Sequence, residues 1–225
     1  MRLEQGDFAR ETAFSDDPVA VARAFADAGA RWLHVVDLDA ARDGASDHGT
    51  VIAAIVDEVG ERIAVEVAGG LRSARAVTEI LDRGAARAIV GTAALRDPAF
   101  AGELVSTHGA ARIAVALDVR DGQAVGHGWQ PGAAGTRVDE ALATLAEQGI
   151  TTFEVTAIER DGTLGGPDLD LYERLIAMDR GSVIASAGIT TAVDIAAVRA
   201  IGCTGAIIGR ALYDGRLTIE AALRA

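Results

Sequence analysis

The sequence predicts an α/β protein of the (βα)8 or TIM-barrel class, with its first β-strand missing from the 225 residues. Three observations lead there. Short apolar runs alternate with segments of helical period along the chain, which implies parallel strands joined by crossover helices. The runs are continuously apolar, so both faces of the sheet are covered. The chain is also written twice: Gly70 and Gly188, Gly84 and Gly202, Gly91 and Gly209, and the Arg-Asp-Gly stretches at Arg42 and Arg160, all stand 118 residues apart. Four landmarks at one offset identify an internal duplication.

The opening stretch MRLEQGDFAR carries neither an apolar run nor a helix cap and reads as a loop that follows a strand. A helical pattern then begins near Val19, and the first apolar run is RWLHVVDL. Helical patterns near Thr50, Ser73 and Asp97 alternate with the runs IAVEVAGG and AARAIVG, which completes a first half of about residues 1–107. The second half, about 108–225, holds RIAVALDV, TTFEVTAI, SVIASAG and TGAIIG, with helices near Val138, Leu169, Ala192 and Thr218. Seven strands are therefore countable in one domain. The run IAVALDVRDGQAV has no counterpart in the first half. Two full repeats would need about 236 residues, roughly 11 more than the chain has. Eight βα units close a barrel, whereas seven leave an open edge.

Composition narrows the function. Half of the residues are hydrophobic, enough for a sizeable core, and the net charge of −12 disfavours a nucleic-acid surface, which needs clustered Lys and Arg. No apolar run approaches the roughly 20 residues of a bilayer span, and no leader pattern opens the chain, so a cytoplasmic location is expected. The single cysteine, Cys203, lies in the apolar stretch IGCTGAIIG and reads as a small buried side chain. A small anionic ligand is permitted, held by local donors and not by the overall field.

Functional groups of such barrels sit where strands end. Asp37, Asp118 and Asp161 hold such places; each could instead cap a helix, but Asp118 and Asp161 end neighbouring strands and would share a pocket. Gly69 and Gly70, Gly91 with Thr92, Gly188 and Gly209 end strands before helical patterns. There a phosphate can approach the backbone and meet N–H groups at a helix start. Pairs on adjacent strands in each half suggest two phosphate sites, with Arg210 adding a charge-assisted contact to the second. Trp129, in the Gly-rich stretch GHGWQPG, suits stacking over a planar ligand, with His127 beside it. His34 reads as a structural histidine, and His48 and His108 show no ligand spacing, so no metal site is expected.

Together, LEQGD, WLHVVDLDAA, VEVAGGLR, IVGTAAL, ALDVRDG, GHGW, VTAIERDGTLGGPDL and IIGRALYDGRLT resemble the phosphoribosylformimino-5-aminoimidazole carboxamide ribotide isomerases of histidine biosynthesis. The resemblance runs from Arg2 to the C-terminus and is nearest to the actinobacterial dual-substrate version, a phosphoribosyl isomerase that also acts on phosphoribosylanthranilate. It implies an aldose–ketose isomerase working by an Amadori rearrangement, a substrate with a phosphate at each end, and no metal or organic cofactor. A monomer is implied where the barrel is complete. By motif it assigns Asp118 as proton donor, Asp161 as a second acid group and Thr156 as its neighbour. It also assigns Gly69, Gly70, Gly91 and Thr92 to one phosphate, and Gly188, Gly209 and Arg210 to the other. Arg2, Trp129 and His127 match substrate-contacting positions. The family's general base is an aspartate of a first-strand motif that precedes Arg2, and no residue here matches it. Departures are Ala68 for a serine, Ala157 for an acid, Ala187 for a glycine, and His127 for the arginine of dual-substrate enzymes. The last puts the phosphoribosylanthranilate activity in doubt, since a bidentate partner for a carboxylate is lost. A dual-substrate enzyme and an inactive phosphosugar-binding barrel therefore stand as alternatives.

Overall fold

Seven short strands form one parallel sheet because their side chains can be buried on both faces. In the computed structural model, which describes residues 2–4, 7–44, 48–126 and 135–225, they are β3 (Trp32–Val36), β4 (Ala64–Ala68), β5 (Arg87–Val90), β6 (Ile113–Arg120), β9 (Thr152–Ala157), β10 (Ser182–Ser186) and β11 (Gly205–Ile207). Their order is β11-β10-β9-β6-β5-β4-β3, each pair parallel. These are the seven runs read from the sequence, in the nearly closed arrangement of a (βα)8 barrel. The ends of the order are β3 and β11, and on β3 Trp32 and Val36 are 47% and 41% exposed.

Helices begin where local chemistry starts them. Asp17 caps α1 (Pro18–Asp27), accepting from the Ala20 amide, and Pro18 supplies a pre-set φ at the first helical position. Ser73 caps α4 (Ala74–Asp82) and Asp97 caps α6 (Pro98–His108) in the same way. At α9 (Ala192–Ala200), Thr191 and Asp194 form a reciprocal capping box. With α3 (Gly49–Val59), α7 (Val138–Glu147), α8 (Leu169–Ile176) and α11 (Ile219–Arg224), these are the eight helices expected, each starting within one residue of its predicted place. Short helices α2 (Leu38–Asp43), α5 (Thr92–Arg96) and α10 (Arg210–Tyr213) are additions of a turn or so that apolar periodicity cannot register.

Alternate residues of a strand face opposite ways. One set, including Val65, Val67, Val115, Leu117, Phe153, Val155 and Val183, is 0–1% exposed and joins Val59, Val77, Leu104, Leu142 and Leu175 of the helices in one core. The other set lines the inside of the barrel and contains His34, Glu66, Glu154, Asp118, Thr156 and Ser186. The core therefore lies between sheet and helices, and the polar chemistry lies within the sheet's curve.

The opening stretch is not a plain loop. β1 (Arg2–Glu4) and β2 (Asp7–Thr12) pair antiparallel, Arg2 opposite Thr12, as a separate two-stranded sheet. Its alternation is too polar to register as an apolar run. The chain then passes Phe14, which stacks on Tyr213 of α10 with ring centroids 4.8 Å apart, and so ties this segment to the last part of the barrel. A second hairpin, β7 (Gln123–Val125) with β8 (Thr136–Arg137), extends β6 beyond the rim.

The 118-residue offset recurs in the backbone. Gly70 and Gly188 have φ of 69° and 77°, and Gly84 and Gly202 have 99° and 103°. Gly91 and Gly209 have φ/ψ of −118°/−102° and −114°/−96°. Ala187 shares the left-handed conformation of its counterpart Gly69, with φ of 80° against 96°. For a side chain bearing a Cβ that conformation costs on the order of 1–2 kcal/mol.

Candidate active site

Parallel register aligns three polar side chains at the C-terminal rim. Asp118 of β6 is the partner of Thr156 on β9, and Thr156 is the partner of Ser186 on β10. Partners in register share a face of the sheet, so carboxylate and two hydroxyls form a row on the barrel's inner side. Thr156 and Ser186 are 5% and 9% exposed. Below the row, the buried Tyr172 hydroxyl donates to the Ser186 carbonyl at 2.7 Å and fixes that strand end.

Asp161 is also buried, in the turn that leaves β9, its amide donating to the Ile158 carbonyl at 3.1 Å. It lines a cleft with Gly162, Ser186, Gly188, Gly209 and Arg210. Arg210 spans the mouth: Nη1 donates to the Gly162 carbonyl at 2.8 Å and Nε to Asp214 at 3.2 Å. That holds a guanidinium beside Asp161, with two of its five donors engaged among the described residues. Gly91 and Gly209 are N-caps of α5 and α10, and neither cap contributes a side-chain hydrogen bond.

Three of the strand-end glycines stand where neighbouring backbone leaves no room for a side chain. A Cβ on Gly69 would lie 2.2 Å from the Asp37 carbonyl oxygen, one on Gly70 2.4 Å from the Ala40 Cβ, and one on Gly188 2.3 Å from the Gly166 oxygen. Neighbouring loops fill the side-chain position, so these residues are glycine because backbones meet there. Gly91 differs, its added Cβ meeting, among the described residues, only Ala116 at 3.7 Å. Thr92 touches the end of the β7 segment, since a Cβ on Gly126 would come within 3.0 Å of it. His127 and Trp129 lie outside the described residues, and for Arg2 the backbone alone, in β1, is described.

Asp37 is a helix cap, Oδ1 accepting from the Ala40 amide at 2.9 Å, with His48 Nδ1 3.4 Å away. Cys203 is partly buried and packs on the core; burial pushes its thiol up to about 11, which leaves it a poor nucleophile at neutral pH. His108 Nε2 lies 3.1 Å from the Thr78 hydroxyl.

Inside the barrel lies a cluster the sequence reading missed. Arg87 Nε donates to Glu66 at 2.9 Å, and His34 Nδ1 contacts the other Glu66 oxygen at 2.9 Å. His34 Nε2 faces Glu154 at 3.7 Å, and Arg87 stacks over Trp32 at 4.3 Å. Burial works to raise the Glu66 carboxyl, but His34 and Arg87 outweigh it and hold it below its usual range. Burial pushes Glu154 up to about 7; His34 and Arg87 oppose this, and the charges of Glu66 and Asp118 add to it. The available signal was parity: Glu66 in AVEVA and Glu154 in TFEVTA are charged residues at inward positions of otherwise apolar strands.

A family model described as histidine biosynthesis protein matches residues 1–218. The chain belongs to that family. Among curated members, a Thermomicrobium roseum protein is 44% identical over 221 residues, 98% of this chain and 89% of the relative. A Deinococcus radiodurans protein is 42% identical over 217 residues, 96% and 90% of the two chains. One from Roseiflexus castenholzii is 43% identical over 227 residues, 100% and 93%. Each is named 1-(5-phosphoribosyl)-5-((5-phosphoribosylamino)methylideneamino) imidazole-4-carboxamide isomerase. Family membership thus accords with a small-molecule enzyme whose groups gather at the strand ends.

Proposed function

We propose that the chain is the aldose–ketose isomerase its relatives are named for, converting the phosphoribosylformimino aminoimidazole carboxamide ribonucleotide to its phosphoribulosyl form. The observation that carries this reading is the Asp118-Thr156-Ser186 row standing beside the cleft of Asp161, Gly188, Gly209 and Arg210. One acid donates a proton that opens the ribose ring. The C2 proton then passes to a general base, which the family resemblance assigns to an aspartate of a strand preceding Arg2, and the enol so formed takes up a proton at C1 to give the ketose. Asp118 is the proton donor, Asp161 the second acid group, and Thr156, the register partner of Asp118, acts beside them. Gly188, Gly209 and Arg210 hold one phosphate by backbone N–H groups and a guanidinium; Gly69, Gly70, Gly91 and Thr92 hold the other. Arg2, Trp129 and His127 contact the remainder of the substrate. The two sites belong to the two duplicated halves of a single domain. A cytoplasmic location, a monomeric state where the barrel is complete, and neither nucleic acid nor membrane as partner complete the reading.

The test is turnover and substrate binding by the protein produced from its own gene, with Asp118→Asn and Asp161→Asn compared. Both variants should keep binding and lose about 10²- to 10⁴-fold in kcat. Weakened binding at unchanged kcat would contradict the catalytic roles.

A further inference from the structure

The guanidinium at the cleft is gripped from two sides. Arg210 opens α10, and Asp214 follows the last helical residue as its C-cap. Arg210 Nε donates to the Asp214 carboxylate at 3.2 Å, while Nη1 donates to the Gly162 carbonyl at 2.8 Å. The Asp214 side chain is 26% exposed, and Arg216 Nε lies 4.0 Å from the same carboxylate oxygen. The helix is itself tied down next to this pair, since Tyr213 stacks on Phe14 and meets Phe25 of α1 with ring centroids 5.9 Å apart.

The stability of α10 does not call for a carboxylate at position 214. An acid at a helix C-terminus meets the negative end of the helix dipole, where a cation is favoured. A partly exposed pair at spacing i,i+4 adds little to folding. A carboxylate close to an anion site also repels the anion. What Asp214 does supply is a fixed place for a long side chain that otherwise samples many rotamers. With Nε and one Nη1 hydrogen engaged among the described residues, the other three donors of Arg210 remain for the cleft that it lines. The turn that carries Asp161 has its own support, the Asp161 amide donating to the Ile158 carbonyl and the Thr163 hydroxyl to the Arg160 carbonyl.

We propose that Asp214 is a positioning residue, which aims the Arg210 guanidinium at a phosphate of the substrate without touching the substrate itself. The proposal rests on the reading of Arg210 as a phosphate ligand. A guanidinium already held in place loses less freedom when the anion arrives. Because that phosphate is remote from the reacting carbons, ground state and transition state benefit alike, and the effect falls on KM. Repulsion acts in the opposite sense, and the two are separable. Asparagine at 214 keeps an acceptor and drops the charge, whereas alanine removes both.

Turnover of the aminoimidazole ribonucleotide, and binding of inorganic phosphate followed by phosphorus NMR, are compared in the wild type, Asp214→Ala, Asp214→Asn and Arg210→Ala. Asp214→Ala should raise KM and the phosphate Kd by about 3- to 10-fold, with kcat within about twofold of the wild type. Asp214→Asn should lie between the wild type and Asp214→Ala. Thermal unfolding should put both Asp214 variants within about 2 °C of the wild type, a result that a role in holding the fold together would not give. Tighter phosphate binding in Asp214→Ala would mean that repulsion dominates and would overturn the proposal. So would an unchanged KM, or a fall in kcat alone. Wild-type phosphate affinity in Arg210→Ala would refute the phosphate reading and the proposal with it, whereas a weakened Arg210→Ala beside an unweakened Asp214→Ala would overturn the proposal alone.

Discussion

Replacing Gly188 by alanine separates backbone strain from crowding, because the fold supplies a matched control. Gly188 has φ of 77° and Gly122 has 73°, so alanine meets nearly the same conformational penalty at both. That penalty is about 1–2 kcal/mol, offset by about 0.4–1 kcal/mol from the reduced freedom of the unfolded chain. A Cβ at 122 meets nothing within 4 Å among the described residues, whereas one at 188 lies 2.3 Å from the Gly166 oxygen, 2.6 Å from its carbon and 2.9 Å from the Pro167 Cα. All three are backbone atoms that no rotamer change can withdraw. Overpacking of this kind costs about 1–3 kcal/mol. Gly188→Ala should therefore be less stable than Gly122→Ala by about 2 kcal/mol, or about 4–8 °C in Tm for a chain of this length. Urea and thermal unfolding of the two variants provide the assay. Equal stability would refute the claim that the residue is glycine because the Gly166–Pro167 backbone fills its side-chain position.

Two further outcomes concern stability. Burial pushes the Glu154 carboxyl from its usual 4.5 up to about 7, so the folded state binds the proton more tightly than the unfolded chain. Its stabilising contribution is full below about pH 4.5 and is lost as pH rises through 7, a loss of about 3 kcal/mol. Glu154→Gln should flatten that part of the pH–stability curve, and an unchanged slope would count against the assignment. Thr191→Ala removes half of the α9 capping box and should cost about 1 kcal/mol in urea unfolding, with no change below a few tenths if the cap is idle.

The seven strands were legible because two covered faces demand continuous apolar runs, and the helix starts because caps such as Asp17-Pro18 and Thr191-Asp194 are written within a few residues of one another. Contacts between distant segments were not legible. Gly69, Gly70 and Gly188 look like generic strand-end glycines until the loops that press on them are placed. Glu66, Arg87 and Glu154 resemble interruptions of apolar strands, and only the curvature of the sheet turns them inward toward His34. The β1-β2 and β7-β8 hairpins escaped because strands this short leave no periodic trace. Ala187 was visible as a departure from glycine, but its positive φ was not. Of the candidate site, Asp118 was legible at its strand end and Thr156 through the family resemblance; that the two are partners, with Ser186 in the same row, required the register of β6, β9 and β10.

The account rests on Asp118 acting on the substrate as an acid at the rim. Steady-state turnover of the aminoimidazole ribonucleotide, with kcat and KM resolved for the wild type and Asp118→Asn, tests it most directly. A fall in kcat of about 10²- to 10⁴-fold at nearly constant KM is predicted. A variant that turns over at the wild-type rate would contradict it.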